Sequence, residues 1–434
     1  MKKKAMLVLL TVLLLALAGC GGQSKGYRVG VGCVDITPYE GADLTSDMSD
    51  QLVTTVEIPL YVKAVVFSLG KEKAAVITLD ATCYSTEETE MAMQAVGKQT
   101  GVPADRVMII SSHTHNGPRF EELEGALTAQ IVEAVKLAEK DLEPCQLALA
   151  STEVANVSHN RRLIVKDEVW NAWMLPTSTR YLYATEGPTD PQLQVLVATK
   201  KDGTHKTILW NFACHANADN MMLLENISSD YPGRLQEMVS EELGYAVPTL
   251  FINGACGDVN PNNTVESTAY PLSKGVLECL ENLTGIETQA LSFETSILDI
   301  PGRENPVLDS EDLQEKWPDR YEHHKASYET ALAEAQETYK TYISMLRLGD
   351  NFALISNPAE LFCQYGLDIK AGSPYEYTMV AELANGYVGY VPTVKSFEMK
   401  GYETWFRTSS YLSIYAGEMI RDASIAMLTG QKGE

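Results

Sequence analysis

Eight cysteines are spread over 434 residues without one C-x-x-C pair, which excludes a zinc ribbon and a thioredoxin-type redox site. Basic residues are scarce: 34 Lys and Arg stand against 58 Asp and Glu, for a formal net charge of -24. A chain that follows a phosphate backbone needs the opposite balance, so nucleic acid is excluded as a partner. Attachment to anionic lipid through basic residues is excluded on the same ground. Beyond residue 18, no apolar run approaches the roughly 18 residues that a membrane helix needs. Histidine is sparse too, with seven in the whole chain. What is present is ordinary globular composition, 45% hydrophobic and 21% charged, in a chain long enough to bury a core without disulfide staples.

The N-terminus has the layout of an export signal. Lys2, Lys3 and Lys4 precede an uncharged apolar run from Ala5 to Ala18, too short and wrongly flanked for a stable span. The run ends in Leu17-Ala18-Gly19-Cys20, which resembles the bacterial lipobox, where small residues precede a cysteine that receives lipid. Residues 1–19 are therefore expected to be a lipoprotein signal peptide, with Cys20 as the lipidation site (palmitate as one acyl group) and 20–27 as a flexible tether. The rest, 28–434, is expected to be a single domain outside the cytoplasm, tied to a bacterial membrane by its N-terminal lipid. Seven cysteines remain after cleavage, an odd number; Cys83, Cys279 and Cys363 lie in apolar surroundings and read as small buried hydrophobes.

Strand and helix patterns alternate along this body. Tyr61 to Leu69 and Ala74 to Leu79 are β-rich runs joined by a hairpin signal at Gly70. Ser85 and Glu88 are spaced as a capping box for a helix that stops near Gly101, and Glu121 to Leu142 carries apolar residues at helical spacing. Short apolar runs at Val107 to Ile110 and Pro248 to Ile252 predict strands buried on both faces. Further hairpins are predicted around Lys201-Asp202-Gly203 and at Gly349-Asp350, a strand at Thr378 to Leu383, and a last helix from about Ser413. Ser310 to Met345 is charged and helix-favouring, and predicts a solvated helix pair that would expose His323 and His324. The pattern predicts an α/β fold, layered, with mixed β-sheets flanked by helices.

Polar residues collect where the buried strands end. Val107 to Ile110 runs into Ser111-Ser112-His113-Thr114-His115, and Thr207 to Phe212 into Ala213-Cys214-His215. Leu250 to Ile252 runs into Asn253-Gly254-Ala255-Cys256-Gly257-Asp258, and Thr378 to Leu383 into Ala384-Asn385-Gly386-Tyr387. Ligands of open α/β sheets bind just past strand carboxyl ends, so these four loops can converge on one site. Three of the seven histidines fall in them; His205 is placed in a hairpin turn. A lone histidine in such a loop is more often a hydrogen-bonded core residue than a ligand. Three of them together with glycine-rich loops favour a metal, with zinc or a similar borderline ion preferred by imidazole.

The ordered set SSHTHNGP (111–118), HNRR (159–162), NFACHA (211–216), SSDYPG (228–233), NGACGDVNP (253–261), NPAE (357–360) and NGYVGYVPT (385–393) resembles the neutral/alkaline, non-lysosomal ceramidase family, as does the opening VGCVDITP (31–38). The matches follow family order over nearly the whole body. The resemblance implies a zinc amidohydrolase whose metal is held by His113, His215, Glu360 and Tyr390. It further implies that His115 and Arg161 stand close to the metal or the scissile amide, and that Tyr402 helps to stabilise the reacting carbonyl.

Two imidazoles, a carboxylate and a phenolate leave room for a water that zinc acidifies, and the expected reaction is attack of zinc-bound hydroxide on an amide of a small-molecule or lipid-like N-acyl substrate. Arg161, Tyr402 and His115 are the candidate donors to the oxyanion, and His115 the candidate relay to the departing amine. Two departures stand out. Asn260 replaces a serine proposed to take part in catalysis in the family, and an amide cannot act as a nucleophile, so Asn260 is left as a hydrogen-bond donor. The family's immunoglobulin-like C-terminal domain has no counterpart in this sequence. Both leave room for other readings: a zinc esterase or deacylase of sugar or cell-wall fragments on the same scaffold, or a non-catalytic surface-binding lipoprotein.

Overall fold

Two β-sheets lie face to face between helices. The computed structural model describes residues 26–38, 55–117, 120–166, 168–175, 184–219, 226–262 and 264–430. The larger sheet contains β1 (Arg28–Asp35), β2 (Tyr61–Leu69), β3 (Glu72–Leu79), β4 (Val107–Ser111), β5 (Glu143–Glu153), β6 (Gln192–Lys200), β7 (His205–Phe212) and β8 (Thr249–Asn253), in the order β8-β7-β6-β5-β1-β2-β3-β4. Its inner pairs are antiparallel, whereas β3/β4 and β7/β8 at the two ends are parallel. The smaller sheet runs β9 (Leu291–Pro301), β10 (Thr338–Leu348), β11 (Phe352–Ser356), β12 (Tyr377–Ala381), with β11/β12 parallel.

The burial pattern of each strand dictates these layers. Val65, Phe67, Met108, Leu209 and Ile252 from the larger sheet meet Leu346, Phe352, Leu354 and Met379 from the smaller one in a shared core. Each such aliphatic side chain contributes about 1.5–3 kcal/mol by leaving water. The outer face of β1–β4 is covered by α1 (Thr86–Gln99) and α2 (Phe120–Lys140), and that of β5–β8 by α3 (Asp230–Leu243) and α4 (Val265–Glu281). Helix α2 lies directly on β1 because Gly30 and Gly32 carry no side chain; a Cβ there would overlap the carbonyls of Ala138 and Ala134. At one edge α5 (Ser310–Lys316) and α6 (Tyr321–Ala333) build an aromatic layer with Trp317, Tyr402 and Trp405. The smaller sheet is backed by α7 (Cys363–Gly372) and α8 (Ala416–Thr429).

The expected layered α/β fold with mixed sheets is present, and so are several local details. Ser85 and Glu88 form a reciprocal capping box. Gly203 and Gly349 take φ of 88° and 68°, the left-handed values that the two hairpin turns need. The expected helix pair over Ser310 to Met345 is corrected: the helices end at Ala333, and β10 starts at Thr338. Tyr339, Tyr342 and Ile343 suit a strand, and β10 is claimed on both sides by β9 and β11. His324 is corrected as well. It is buried among Trp317, Tyr402 and Trp405, while His323, one position before it, is exposed. His205 opens β7 rather than sitting in the turn, and Cys83 is half-buried, whereas Cys279 and Cys363 are buried as expected. Among the described residues no helix is long and apolar enough to cross a membrane. The N-terminal signal and Cys20 lie outside the described residues.

Candidate metal centre

The parallel strand pairs bring their carboxyl ends to one place. The loop after β12 stitches that place together: Glu382 N donates to Asn253 O (2.9 Å), and Asn385 N donates to Ile109 O (2.8 Å). Just past β4, His113 N donates to Ala81 O (3.0 Å), and the residue adopts φ 65°. A histidine in the left-handed region is uncommon and is held there only by surrounding contacts. Its Nδ1 stands 2.6 Å from Thr82 O. A carbonyl only accepts, so this nitrogen carries the hydrogen and Nε2 faces the centre. Past β7, His215 repeats the arrangement, with Nδ1 2.8 Å from Cys256 O. Burial, followed by the nearby Arg161, pushes its pKa down to about 4, so Nε2 offers a lone pair at neutral pH.

His115, half-buried, sets its Nε2 3.4 Å from that of His113. Burial and the two neighbouring imidazoles hold its pKa well below the ordinary range. The three histidines offer ligand atoms within 4.8 Å of one another. Glu360 completes the cluster from a two-residue parallel ladder in which Glu360 pairs with Tyr390. Its Oε1 accepts from Tyr387 Oη at 2.9 Å. Its Oε2 is shut off from solvent without a hydrogen-bond partner, 3.4 Å from Nε2 of both His113 and His215. An acceptor oxygen facing the lone pair of His215 calls for a positive charge between them. The donor set, imidazole nitrogen with one carboxylate, suits a borderline divalent ion.

Arg161 closes one side. It follows the short strand Ser158–Asn160, which pairs with Val259–Pro261, and its own N donates to Asp258 O at 2.8 Å. The guanidinium donates from Nη1 to His215 Nε2 (3.1 Å) and Asn260 Oδ1 (3.2 Å), and from Nη2 to Tyr390 Oη (3.2 Å). Its Nε donates to Glu403 Oε1 at 2.8 Å. The other oxygen of Glu403 accepts from Arg162 Nη1 at 2.6 Å, and Arg162 also pairs with Glu186. Trp173, 43% exposed, covers the Arg161 guanidinium at 5.2 Å. Tyr402 stands one ring further out, 5.8 Å from the Tyr390 ring and 5.5 Å from that of Trp173.

His113, His115, His215 and Glu360 thus converge, and Arg161 links Asn260 and Tyr390 to them. Tyr402 approaches through the ring of Tyr390. His159 bonds to Asn262 at 2.9 Å, outside the centre. Sequence reasoning assigned no role to Arg162, which follows Arg161 in HNRR, or to Glu403, whose partners are remote in the chain. Glu382 carried none: fully buried, it accepts from Cys256 N (2.8 Å) and Leu361 N (3.1 Å), and so fixes the carbonyl that holds His215 and the strand that carries Glu360.

The fold is that of neutral ceramidases. Over 94% of this chain and 75% of that chain, it superimposes on neutral ceramidase from Pseudomonas aeruginosa with a TM-score of 0.72 at 18% identity. A ceramidase complexed with C2 gives 0.71 at 17%, covering 94% of this chain and 76% of that one. No family model and no curated protein matches the chain. At these identities the likeness is one of fold.

Proposed function

We propose that the chain is a zinc-dependent hydrolase that cleaves the amide bond of lipid-like N-acyl substrates. The observation that carries this reading is the buried, unpartnered Oε2 of Glu360 set 3.4 Å from the Nε2 atoms of two histidines, in a fold shared with ceramidases. His113, His215 and Glu360 would hold the ion, with Tyr390 beside them and His115 completing the imidazole cluster. When bound, zinc supplies Lewis acidity and lowers the pKa of a water toward about 7.

The remaining side chains set up the transfer. Arg161, fixed by Glu403, places donors where negative charge develops on the amide oxygen. Because Asn260 Oδ1 accepts from Arg161, its NH2 is left to donate toward substrate. Asn260 has no nucleophilic atom, so hydrolysis proceeds without an acyl-enzyme at this position. His115, neutral at physiological pH, accepts a proton and passes it to the departing amine. Tyr402 lines the approach. Lipid on Cys20 would hold the domain at the outer face of a bacterial membrane, within reach of such substrates.

Metal analysis of the purified protein and assays on paired N-acyl and O-acyl substrates test the reading. Near-stoichiometric zinc, with amide hydrolysis lost to a chelator and restored by zinc, supports it. A protein without metal, or one that cleaves only the esters, overturns it.

A further inference from the structure

A second buried cation lies beside the proposed centre, and amide hydrolysis as described leaves it unused. Arg407 is only 6% exposed. Its guanidinium carbon stands 3.7 Å from the centre of the Tyr402 ring and 5.7 Å from that of Tyr390. Its Nε and Nη2 are shut off from solvent without a hydrogen-bond partner, and among the described residues it makes no ion pair. The other buried arginines of this region are satisfied. Arg161 and Arg162 share Glu403, and Arg303 donates to the carbonyls of Leu412 and Thr404 and to Ser410 Oγ.

His324 shares a small cavity with Arg407, Trp405 and Phe406. It is 5% exposed, and neither ring nitrogen has a partner. Burial, then the charge of Arg407, pushes its pKa down to about 3, so it is neutral and keeps one N–H to donate. The acid on the cavity wall, Asp309, is paired with Lys400 at 3.2 Å. An enclosed guanidinium without a counter-charge is strongly unfavourable. Among the described residues no carboxylate pairs with Arg407. It is stacked on Tyr402, whose ring lies 5.8 Å from that of Tyr390, the tyrosine paired with Glu360.

We propose that Arg407, with His324 beside it, binds an anionic group of the substrate, so that the amide cleaved belongs to an N-acyl compound carrying a carboxylate or phosphate close to that bond. This rests on the amide-hydrolase reading. It adds a charge requirement that neither the metal ligands nor Arg161 imposes.

The test compares N-lauroylglycine, the phosphate monoester of N-lauroylethanolamine, and neutral N-lauroylethanolamine. The wild-type enzyme should favour one or both anions over the neutral amide by about 10- to 100-fold in kcat/KM, the worth of a charge-assisted hydrogen bond. Which anion leads separates carboxylate from phosphate. Arg407→Gln should bring the ratio close to one, and Arg407→Lys should keep part of it, which also serves if the Gln variant does not fold. Calorimetric binding of the same compounds to Glu360→Gln protein gives a readout without turnover. Equal rates on charged and neutral amides, or a ratio that survives Arg407→Gln, overturn the anion site and leave amide hydrolysis standing. If no amide is cleaved but binding still favours the anions through Arg407, the anion site stands and the hydrolase reading falls.

Discussion

Arg161 Nη1 stands 3.1 Å from His215 Nε2, the nitrogen that faces the centre. A guanidinium only donates, so this contact confirms the tautomer set on the other side of the ring by Cys256 O. It also means that Arg161 and a cation compete for one lone pair. A bound cation would leave Arg161 to Asn260 and Tyr390, its other two acceptors near the centre.

Replacing either His113 or His215 by alanine should therefore empty the centre. Loss of an outer-shell partner typically weakens a metal site about 10- to 100-fold, and loss of a ligand should exceed that. Metal content per chain after dialysis is the measurement, with His323→Ala as the control, since His323 is exposed. His324 cannot serve as a control, because it is buried.

Glu403→Gln should destabilise the protein by about 3–5 kcal/mol, because it leaves the buried Arg161 guanidinium without a carboxylate and Arg162 with Glu186 alone. Urea unfolding midpoints measure this. A change below 1 kcal/mol would show that Arg161 and Arg162 find other partners.

Stability should decline as pH rises from about 4 to about 6. Burial drives the carboxyls of Asp230 and Asp258 up to about 6, above the ordinary value near 4. For an acid whose folded pKa is raised, the stabilising term is complete below the unfolded pKa and disappears as pH climbs through the folded one. Each carboxyl accounts for a change on the order of 2–3 kcal/mol. Asp230→Asn should remove its share, since asparagine tolerates the φ of 58° found there. Glu403 acts in the other direction. Burial opposes its ionisation, but Arg161 and Arg162 outweigh that and hold its pKa below the ordinary range, so its contribution is lost only in stronger acid. Unfolding midpoints measured from pH 3 to pH 8 separate the two.

Asn260→Ala should lower turnover by no more than about 10²- to 10³-fold, the worth of one oxyanion-type donor. Removing Glu360 should cost more. Rapid-mixing kinetics should show no burst of amine matching the enzyme concentration; such a burst would establish a covalent intermediate and refute the single displacement.

Cys20→Ala should release the protein from membranes or leave its precursor uncleaved. Fractionation with an antibody to the body of the chain reads this directly. Normal processing with full membrane retention would remove the lipid anchor from the account.

Much of the centre was legible because its candidate side chains sit where buried strands run out. His113, His215 and the 253–258 and 384–390 loops announce themselves as polar residues after apolar runs. Glu403 gives no such signal. Its value comes from Arg161 and Arg162, 242 and 241 residues away, and nothing local marks an acid that will be enclosed. The buried His324 was hidden by its exposed neighbour and by a helix whose composition looked uniformly polar. Strand β10 was hidden because Lys340 and Arg347 made its sequence resemble the charged helices before it. The partners that force it to be a strand, β9 and β11, are tertiary facts.

The link from Arg161 to Glu403 also bears on how the molecule comes into being. A chain is made from its N-terminus, so His113, Arg161 and His215 exist long before Glu360 and Glu403 arrive. Until then Arg161 has no counter-charge, Arg162 has Glu186 alone, and the histidines have no carboxylate opposite them. A chain stopped or clipped ahead of residue 403 would not be a weaker version of the whole. It would be left with uncompensated charge at its centre, so the arrival of Glu403 is a condition for the centre to close.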